Sequence, residues 1–565
     1  MKLRVEYESK TDVLVIGAGG AGIRAAISAG EEGAQVLVVS KFSFGRTGAT
    51  FYPGTPGWGM SAVLFEGDTA DYFHEEILKA GAGAADPGLS KILAYECTDK
   101  LHELEGYGLE FSKDPDTGQY NGVIPCFGEK MRSAATYGMD KIRNAMWTQL
   151  KKLDVSIRTG ISIISLIMDG DTCVGAVGLD ELSHLVFFRA KSIILCTGGG
   201  CGIYKYGLAT ADQTGDGYIL ALDAGAHLTN IEFIQFIPGL TWPSKGLLFQ
   251  EKNLDTLPSF TNRKGEDILK KYLPFNITVE ECLVERAKHG PFSNATISRY
   301  LDIAMYEEWV KGLTCDSGGI HVRYSPHVLN DRRWTIESWI SWMNEEGVDP
   351  VNKGFDMIPH AQCFNGGIYI SEDAGTGVKG LYAAGETTGG PHGADRQGGA
   401  AIAATQVFGA RAGKAASEFA SNRAHSQITF NEVDAFLWER FNRNGGGLVD
   451  IKENFKKIKE IMWKSAAIVR NEKRCQKGIE EIERIEAAFN PMIHFEKDIQ
   501  IRKVNELLSY MTLGKSLLEL ISFRKESRGP HYRDDYPSGD DKYKGMSTLY
   551  KENGKIKINF IRAAY

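Results

Sequence analysis

The sequence predicts an α/β protein: a Rossmann-like dinucleotide-binding domain, interrupted by an insertion and followed by a helical C-terminal domain. Three observations predict it. A strand, a glycine-rich turn, a helix and a second strand succeed one another within residues 12–40. Two more apolar strands running into glycines, at 190–200 and 379–390, lie far down the chain. From residue 431 onward apolar residues recur at three- and four-residue spacing, as in helices with one buried face.

The first element is "DVLVI" (12–16), a β-branched run of the kind found in parallel strands buried on both faces. "GAGGAG" follows, then "IRAAISAGEEG", then "AQVLVVS". Gly17, Gly19 and Gly22 stand at GxGxxG spacing. Gly17 permits the tight turn, Gly19 lets a pyrophosphate approach the backbone, and Gly22 lets the helix pack closely on the sheet. The pyrophosphate is expected at the helix N-terminus, where free N–H groups and the dipole favour an anion. The second strand ends in Ser40 and Lys41. An Asp or Glu there would hold the ribose of NAD, so a plain NAD reading is weakened. "AKSIILCTGGG" (190–200) and "KGLYAAGETTGG" (379–390), with Glu386 near the end of the latter, complete one nucleotide fold split by insertions.

Composition narrows the classes further. At 565 residues the chain should hold about two to four domains. Its net charge of −7 gives no basic footprint for nucleic acid. No apolar run approaches the ~20 residues of a membrane helix, so a soluble, cytoplasmic protein is expected rather than an integral membrane one. The nine cysteines are scattered without a CxxC pair. That argues against a disulfide framework, a zinc site or an internal iron–sulfur cluster, and no metal is expected.

Longer stretches carry a resemblance. "VIGAGGAGIRAAISA" with "VVSK", "LCTGGG" before "TGDGYILALDAGAHL", "IEFIQFIPG", "NGGIYI", "GLYAAGETTGGPHGADR" and "ESRGPHYRDDYP" follow in order along nearly the whole chain. Together they resemble the fumarate reductase/succinate dehydrogenase flavoprotein superfamily, which also contains L-aspartate oxidase and the adenylylsulfate reductase α subunit. The resemblance implies an FAD-binding domain at 1–245 and 350–430, an α+β capping domain at 246–349, and a helical domain at 431–565. It implies FAD contacts from Gly17, Gly19, Gly22, Ser40 and Lys41, with Asp216 and Glu386 on sugar and ribitol hydroxyls. Members that attach FAD covalently use a His in an "R-S-H-T"-like segment. Here that segment reads "GRTGAT", with Gly48 in the His position, so FAD is expected to be non-covalent.

The catalytic set implied by the family is two histidines and two arginines. Arg299 in "NATISRYLD" matches the arginine that delivers a proton from the capping domain. Arg396 in "HGADR" matches the one that holds a substrate carboxylate, and His392 precedes it. Both histidines are replaced, one by Ile237 in "QFIP" and one by Gln362 in "QCFNGG". Asp395 stands where the family usually has Asn. The expected substrate therefore has one acidic or strongly polar end and a bulkier, less polar remainder, with Ile237, Gln362 and Trp242 lining the pocket.

The expected chemistry is hydride transfer between flavin N5 and a carbon–carbon bond beside an acid or carbonyl group, on a substrate other than fumarate or succinate. Two alternatives stay open: adenylylsulfate-reductase-like chemistry, and a flavoprotein electron-transfer subunit of a larger complex. No second nucleotide fold is visible, so electrons are expected to enter from an iron–sulfur or ferredoxin-like redox partner, or to leave to oxygen or another acceptor. A structural pairing of Arg396 with Asp395 or Glu386 is the competing account of that arginine. At the C-terminus, "ENGK" within "KYKGMSTLYKENGKIKINF" predicts a hairpin.

Overall fold

A computed structural model describes residues 4–52, 57–442, 445–496 and 500–563. Its central sheet has seven strands. Five of them are parallel, in the order Ser156–Thr159, Val36–Ser40, Tyr7–Ile16, Leu185–Leu195 and Leu381–Ala383. The long strand Leu185–Leu195 also pairs antiparallel with Thr172–Leu179, which pairs with Ser162–Asp169. The three apolar segments read from the sequence thus lie side by side, although nearly 370 positions separate the first from the last. Val13–Val15 and Ile193–Leu195 are inaccessible to solvent, as strands covered on both faces should be.

The helix Gly20–Glu31 follows the first strand directly. Gly17 has φ +113°, and a Cβ there would lie 2.1 Å from the Cys196 carbonyl oxygen. A Cβ on Gly22 would lie 1.9 Å from the Gly17 carbonyl oxygen. Only glycine fits at either place. The 22-residue helix Ala400–Ser421 packs against this first helix through small residues. A Cβ on Gly413 would come within 2.2 Å of the Ala25 carbonyl oxygen. That close approach accounts for the small, apolar composition after Arg396.

The chain leaves this body along Ile234–Trp242 and returns along Phe355–Phe364, and these two strands pair antiparallel. Ile320–Arg323 and Ser259–Thr261 extend them into a four-stranded sheet. The helices Val279–Arg286, Arg299–Val310 and Trp334–Glu345 complete the insertion. A Thr278–Glu281 capping box starts the first of these by satisfying two otherwise free N–H groups.

The C-terminal helices include Ile451–Ala466, Glu472–Ala488 and the 23-residue Ile501–Phe523. The hairpin expected at "ENGK" forms from Gly545–Glu552 and Lys555–Arg562. It does not stand alone: Leu549 pairs with Leu228 and joins the hairpin to a second body sheet. Between helix and hairpin, residues 524–540 form a buried ionic clasp. Arg524 bonds Glu232 and Glu526, and Arg528 bonds both oxygens of Glu526. No described helix is long and apolar enough to cross a membrane.

Candidate active site

A long cavity opens where the parallel strands end, the usual place for a ligand in such a sheet. Its near end is the turn Gly17–Ala21. A Cβ on Gly19 would meet nothing closer than Thr50 Oγ1 at 3.7 Å, so this glycine faces open space where Gly17 and Gly22 do not. Thr50 Oγ1 accepts from the Gly20 N–H at 3.0 Å and fixes the turn.

Ser40, Lys41 and Asp216 form one side wall. Lys41 Nζ donates to Asp216 Oδ2 at 2.8 Å and to Thr214 Oγ1 at 3.0 Å, and lies 3.3 Å from Glu506 Oε1. Burial works against its charge, but the two carboxylates hold Lys41 protonated above its ordinary range. Asp216 opens the helix Asp216–Asp223, where its charge complements the dipole. Glu506 arrives from the C-terminal helix. No short-range pattern in the sequence marks it.

Further along, Glu386 is half-buried in the cavity wall. Burial pushes its carboxyl up to about 7, partly offset by the Phe364 N–H, which donates to Oε1 at 3.1 Å, and by the charge of Arg396. Gln213 is 2 % exposed, and its Oε1 has no hydrogen-bond partner. Gly48 borders the cavity, with its N–H held by Thr210 Oγ1 at 3.0 Å and Asp212 Oδ1 at 3.3 Å.

The far end is built from Gln362, Cys363, His392 and Arg396. The Arg396 guanidinium makes one hydrogen bond, from Nη1 to the Gln397 carbonyl at 2.9 Å, and its Nε has none. No carboxylate of a described residue lies within 4.0 Å of it, so neither Asp395 nor Glu386 is its salt-bridge partner. An unpaired guanidinium that is 8 % exposed is a costly arrangement and a strong site for an anion. Gln362 Oε1 is also without a partner. Burial, reinforced by Arg396, drives His392 down to about 3, so this imidazole is neutral, with one ring N–H for a hydrogen bond and no acidic second proton.

Four of the sequence-selected residues stand outside the cavity wall. Gly22 packs helix on strand, as expected. Ile237 is 5 % exposed and lies behind the wall against Gly290. Trp242, expected in the pocket, is 40 % exposed. A register shift between Leu240 and Trp242 at the strand end breaks the inward alternation and leaves the ring in solvent. Arg299 begins its helix with Nη1 on the Asn294 carbonyl at 3.0 Å and Nη2 on the Tyr300 hydroxyl at 3.3 Å. Cys363, Thr50, Asp212 and Glu506 are the residues sequence reasoning passed over. Cys363 had a signal, as the neighbour of Gln362.

Residues 12–402 match the family described as an FAD binding domain, and residues 455–563 match the fumarate reductase flavoprotein C-terminal family. The chain belongs to the fumarate reductase/succinate dehydrogenase flavoprotein family. One subunit of the fumarate reductase (CoM/CoB) of Methanothermobacter marburgensis is 30% identical, over 97% of this chain and 98% of that one. The Escherichia coli fumarate reductase flavoprotein subunit is 27% identical, over 93% of this chain and 88% of its own. In three dimensions, Mycobacterium smegmatis Sdh1 in complex with UQ1 superposes with TM-score 0.84 at 24% identity, covering 98% and 94% of the two chains. Adenylylsulfate reductase from Archaeoglobus fulgidus, with TM-score 0.71 at 19% identity over 100% and 98% of the two chains, shares the fold alone.

This flavoprotein is an FAD-dependent oxidoreductase, and its cavity fits the cofactor. The open face of Gly19, at the N-terminus of the helix Gly20–Glu31, suits a pyrophosphate. Asp216, Glu386 and the unpartnered Gln213 Oε1 suit the hydroxyl groups of ribose and ribitol.

Proposed function

We propose that this flavoprotein oxidises or reduces a carbon–carbon bond next to an acid or carbonyl group, in a substrate with a single anionic end. The supporting observation is Arg396: a buried guanidinium in the cavity wall without a carboxylate partner among the described residues. Bound FAD supplies the hydride chemistry, and the protein supplies position and charge. Arg396 grips the substrate anion through a planar two-pronged contact. Gln362 offers a neutral amide where the family has a histidine, and Ile237 gives that side an apolar backing. A second carboxylate would find neutral Gln362 and neutral His392 there, and Arg396 is the one cation lining that end among the described residues, which argues against fumarate and succinate.

In this reading Arg299 exchanges the proton, from the segment of the insertion that runs beside Ile237 and Asp395. Electrons pass to or from an iron–sulfur or ferredoxin-like partner. The M. marburgensis relative is itself named as one subunit of its enzyme, and no cluster of three potential metal ligands occurs among the described residues here. The test is anaerobic: candidate monocarboxylic and keto acids are mixed with the FAD-loaded protein and flavin absorbance is followed. Bleaching or reoxidation by such an acid is the expected result. Reduction by a protein partner alone, with every acid inert, would replace this reading with that of an electron-transfer subunit.

A further inference from the structure

Asp395 is a buried carboxyl beside Arg396 that the reading above does not use. It is 5 % exposed. Its Oδ2 accepts from Ser293 Oγ of the insertion at 2.8 Å, and its Oδ1 has no partner. The body holds its backbone, with Asp395 N–H on the Ala80 carbonyl at 3.2 Å and Ala394 N–H on the Gly81 carbonyl at 3.0 Å. The next residue of the insertion, Asn294, is bound to the clasp. Its N–H and Nδ2 donate to the Gly529 carbonyl at 2.9 and 2.6 Å, and Nδ2 also lies 3.3 Å from the His531 carbonyl. The Asn294 carbonyl in turn receives Arg299 Nη1. A Cβ on Gly529 would lie 2.9 Å from Ala394 Cβ and 3.1 Å from Asp395 Oδ2, so body, insertion and clasp meet here without spare room.

The charged and titratable groups on these packed segments are committed elsewhere. Arg396 donates to the Gln397 carbonyl, Arg299 to Asn294 and Tyr300, Arg528 to Glu526, and Lys79 to Glu129. His392 and His531 are kept neutral by burial, reinforced by neighbouring arginines, and His289, bonded to Ser298 Oγ and the Pro291 carbonyl on the segment itself, is pushed down to about 4 by burial. No basic nitrogen of a described residue lies within 4.0 Å of the Asp395 carboxyl. An ionised carboxylate would have one hydroxyl donor and no counter-ion, a costly state. The protonated acid instead has the shape and neutrality of an asparagine.

We propose that Asp395 is a positioning residue acting as a neutral acid, which latches the Arg299-bearing segment of the insertion to the body and lets go as it loses its proton to solvent. Burial pushes this carboxyl up to about 7 from an ordinary 3.8, while the Ser293 hydroxyl pulls it the other way. When the segment opens, water reaches Asp395 and its ordinary acidity returns. Opening therefore releases a proton between roughly pH 4 and 7. Through Asp395 the latch is tight in acid: its contribution to the opening constant rises about tenfold per pH unit through that window and levels off above about 7, while His289 on the same segment contributes in the opposite sense below about 6.5. The consequence for proton delivery rests on the role given to Arg299 above; the latch itself does not.

Hydrogen exchange of peptides covering 290–302 in the full-length, FAD-loaded protein tests this without a substrate, so its failure is separable from failure of the proposed function. The ratio of wild-type to Asp395→Asn rates, in which the contribution of His289 cancels, should rise about tenfold per unit from pH 5 and flatten near 7. Asp395→Asn by itself should show no rise with pH, although it leaves Glu386, the other carboxyl of similar value, in place. Ser293→Ala should move the plateau to higher pH, because it removes the donor that favours the ion. A ratio without a slope, a rising profile in Asp395→Asn, or an unmoved plateau in Ser293→Ala would each overturn the proposal. The Ser293 variant decides the matter alone if Asp395→Asn fails to fold.

Discussion

Lys41 Nζ lies 2.8 Å from Asp216 Oδ2 and 3.3 Å from Glu506 Oε1, one ammonium held by carboxylates from the nucleotide-binding body and from the C-terminal helix. The side chains of all three are at most 11% exposed. The cofactor wall and the C-terminal helices are therefore a single electrostatic unit.

Glu506→Gln removes one charge from that unit but keeps its volume. Chemical denaturation of the apoprotein should show a loss of about 1–3 kcal/mol, since Lys41 keeps Asp216. FAD affinity, read by flavin fluorescence, should fall as well. A stability loss with unchanged FAD affinity would confine Glu506 to a structural role.

Gly19→Val and Gly22→Ala should fail at different stages. A side chain on Gly19 enters open cavity, so the valine variant should fold and melt normally but lose FAD. A methyl group on Gly22 would meet the Gly17 carbonyl at 1.9 Å, so the apoprotein itself should be destabilised. The same preparations test attachment. Acid precipitation of wild type should leave yellow flavin in the supernatant, because Gly48, at the position where the resemblance implies a histidine in covalent members, offers no nucleophile.

Fumarate and succinate should be poor substrates. Gln362 and Ile237 stand where the family resemblance implies two histidines, and burying a second carboxylate without a counter-charge costs several kcal/mol. Steady-state assays with a viologen or dye should give turnover well below ~1 per second, the lower end of ordinary enzyme rates. Rates above that with either acid would show that Gln362 or another group grips the second carboxylate.

Arg396 and Arg299 should separate on substitution. Arg396→Lys keeps charge but loses the planar fork, and the expected cost of about 2–4 kcal/mol is shared between KM and kcat. Arg299→Lys should leave substrate-induced changes in the flavin spectrum intact while turnover drops about 10²-fold or more, the usual contribution of a positioned acid. FAD should stay bound in both. Near-normal turnover in Arg299→Lys would end its role as the proton donor.

Glu386 should make the apoprotein less stable as pH rises. Its folded value, pushed up to about 7 from 4.5 by burial, favours the neutral form. That contribution is complete below about 4.5 and is lost as pH climbs to about 7. Glu386→Gln removes the penalty, so relative to wild type it should gain on the order of 3 kcal/mol by pH 8. Calorimetry at pH 5 and pH 8 measures the difference. An equal shift at both values would refute the titration.

The sequence by itself determined the nucleotide fold, the helical C-terminal segment, the closing hairpin and the family. Those features are written in local terms: β-branched runs, Gly17, Gly19 and Gly22 at fixed spacing, and apolar residues at helical intervals. Each reflects the geometry of a few adjacent residues, which neighbouring side chains largely dictate. Only the tertiary structure decided that Arg396 has no carboxylate partner, that Glu506 reaches Lys41, that Ser293 and Gly529 close on Asp395, and that Trp242 faces solvent. These depend on how strands, insertion and clasp pack. A one-residue shift near Leu240, or a close approach permitted at Gly529, moves a side chain by several ångströms without leaving any periodic trace in the chain.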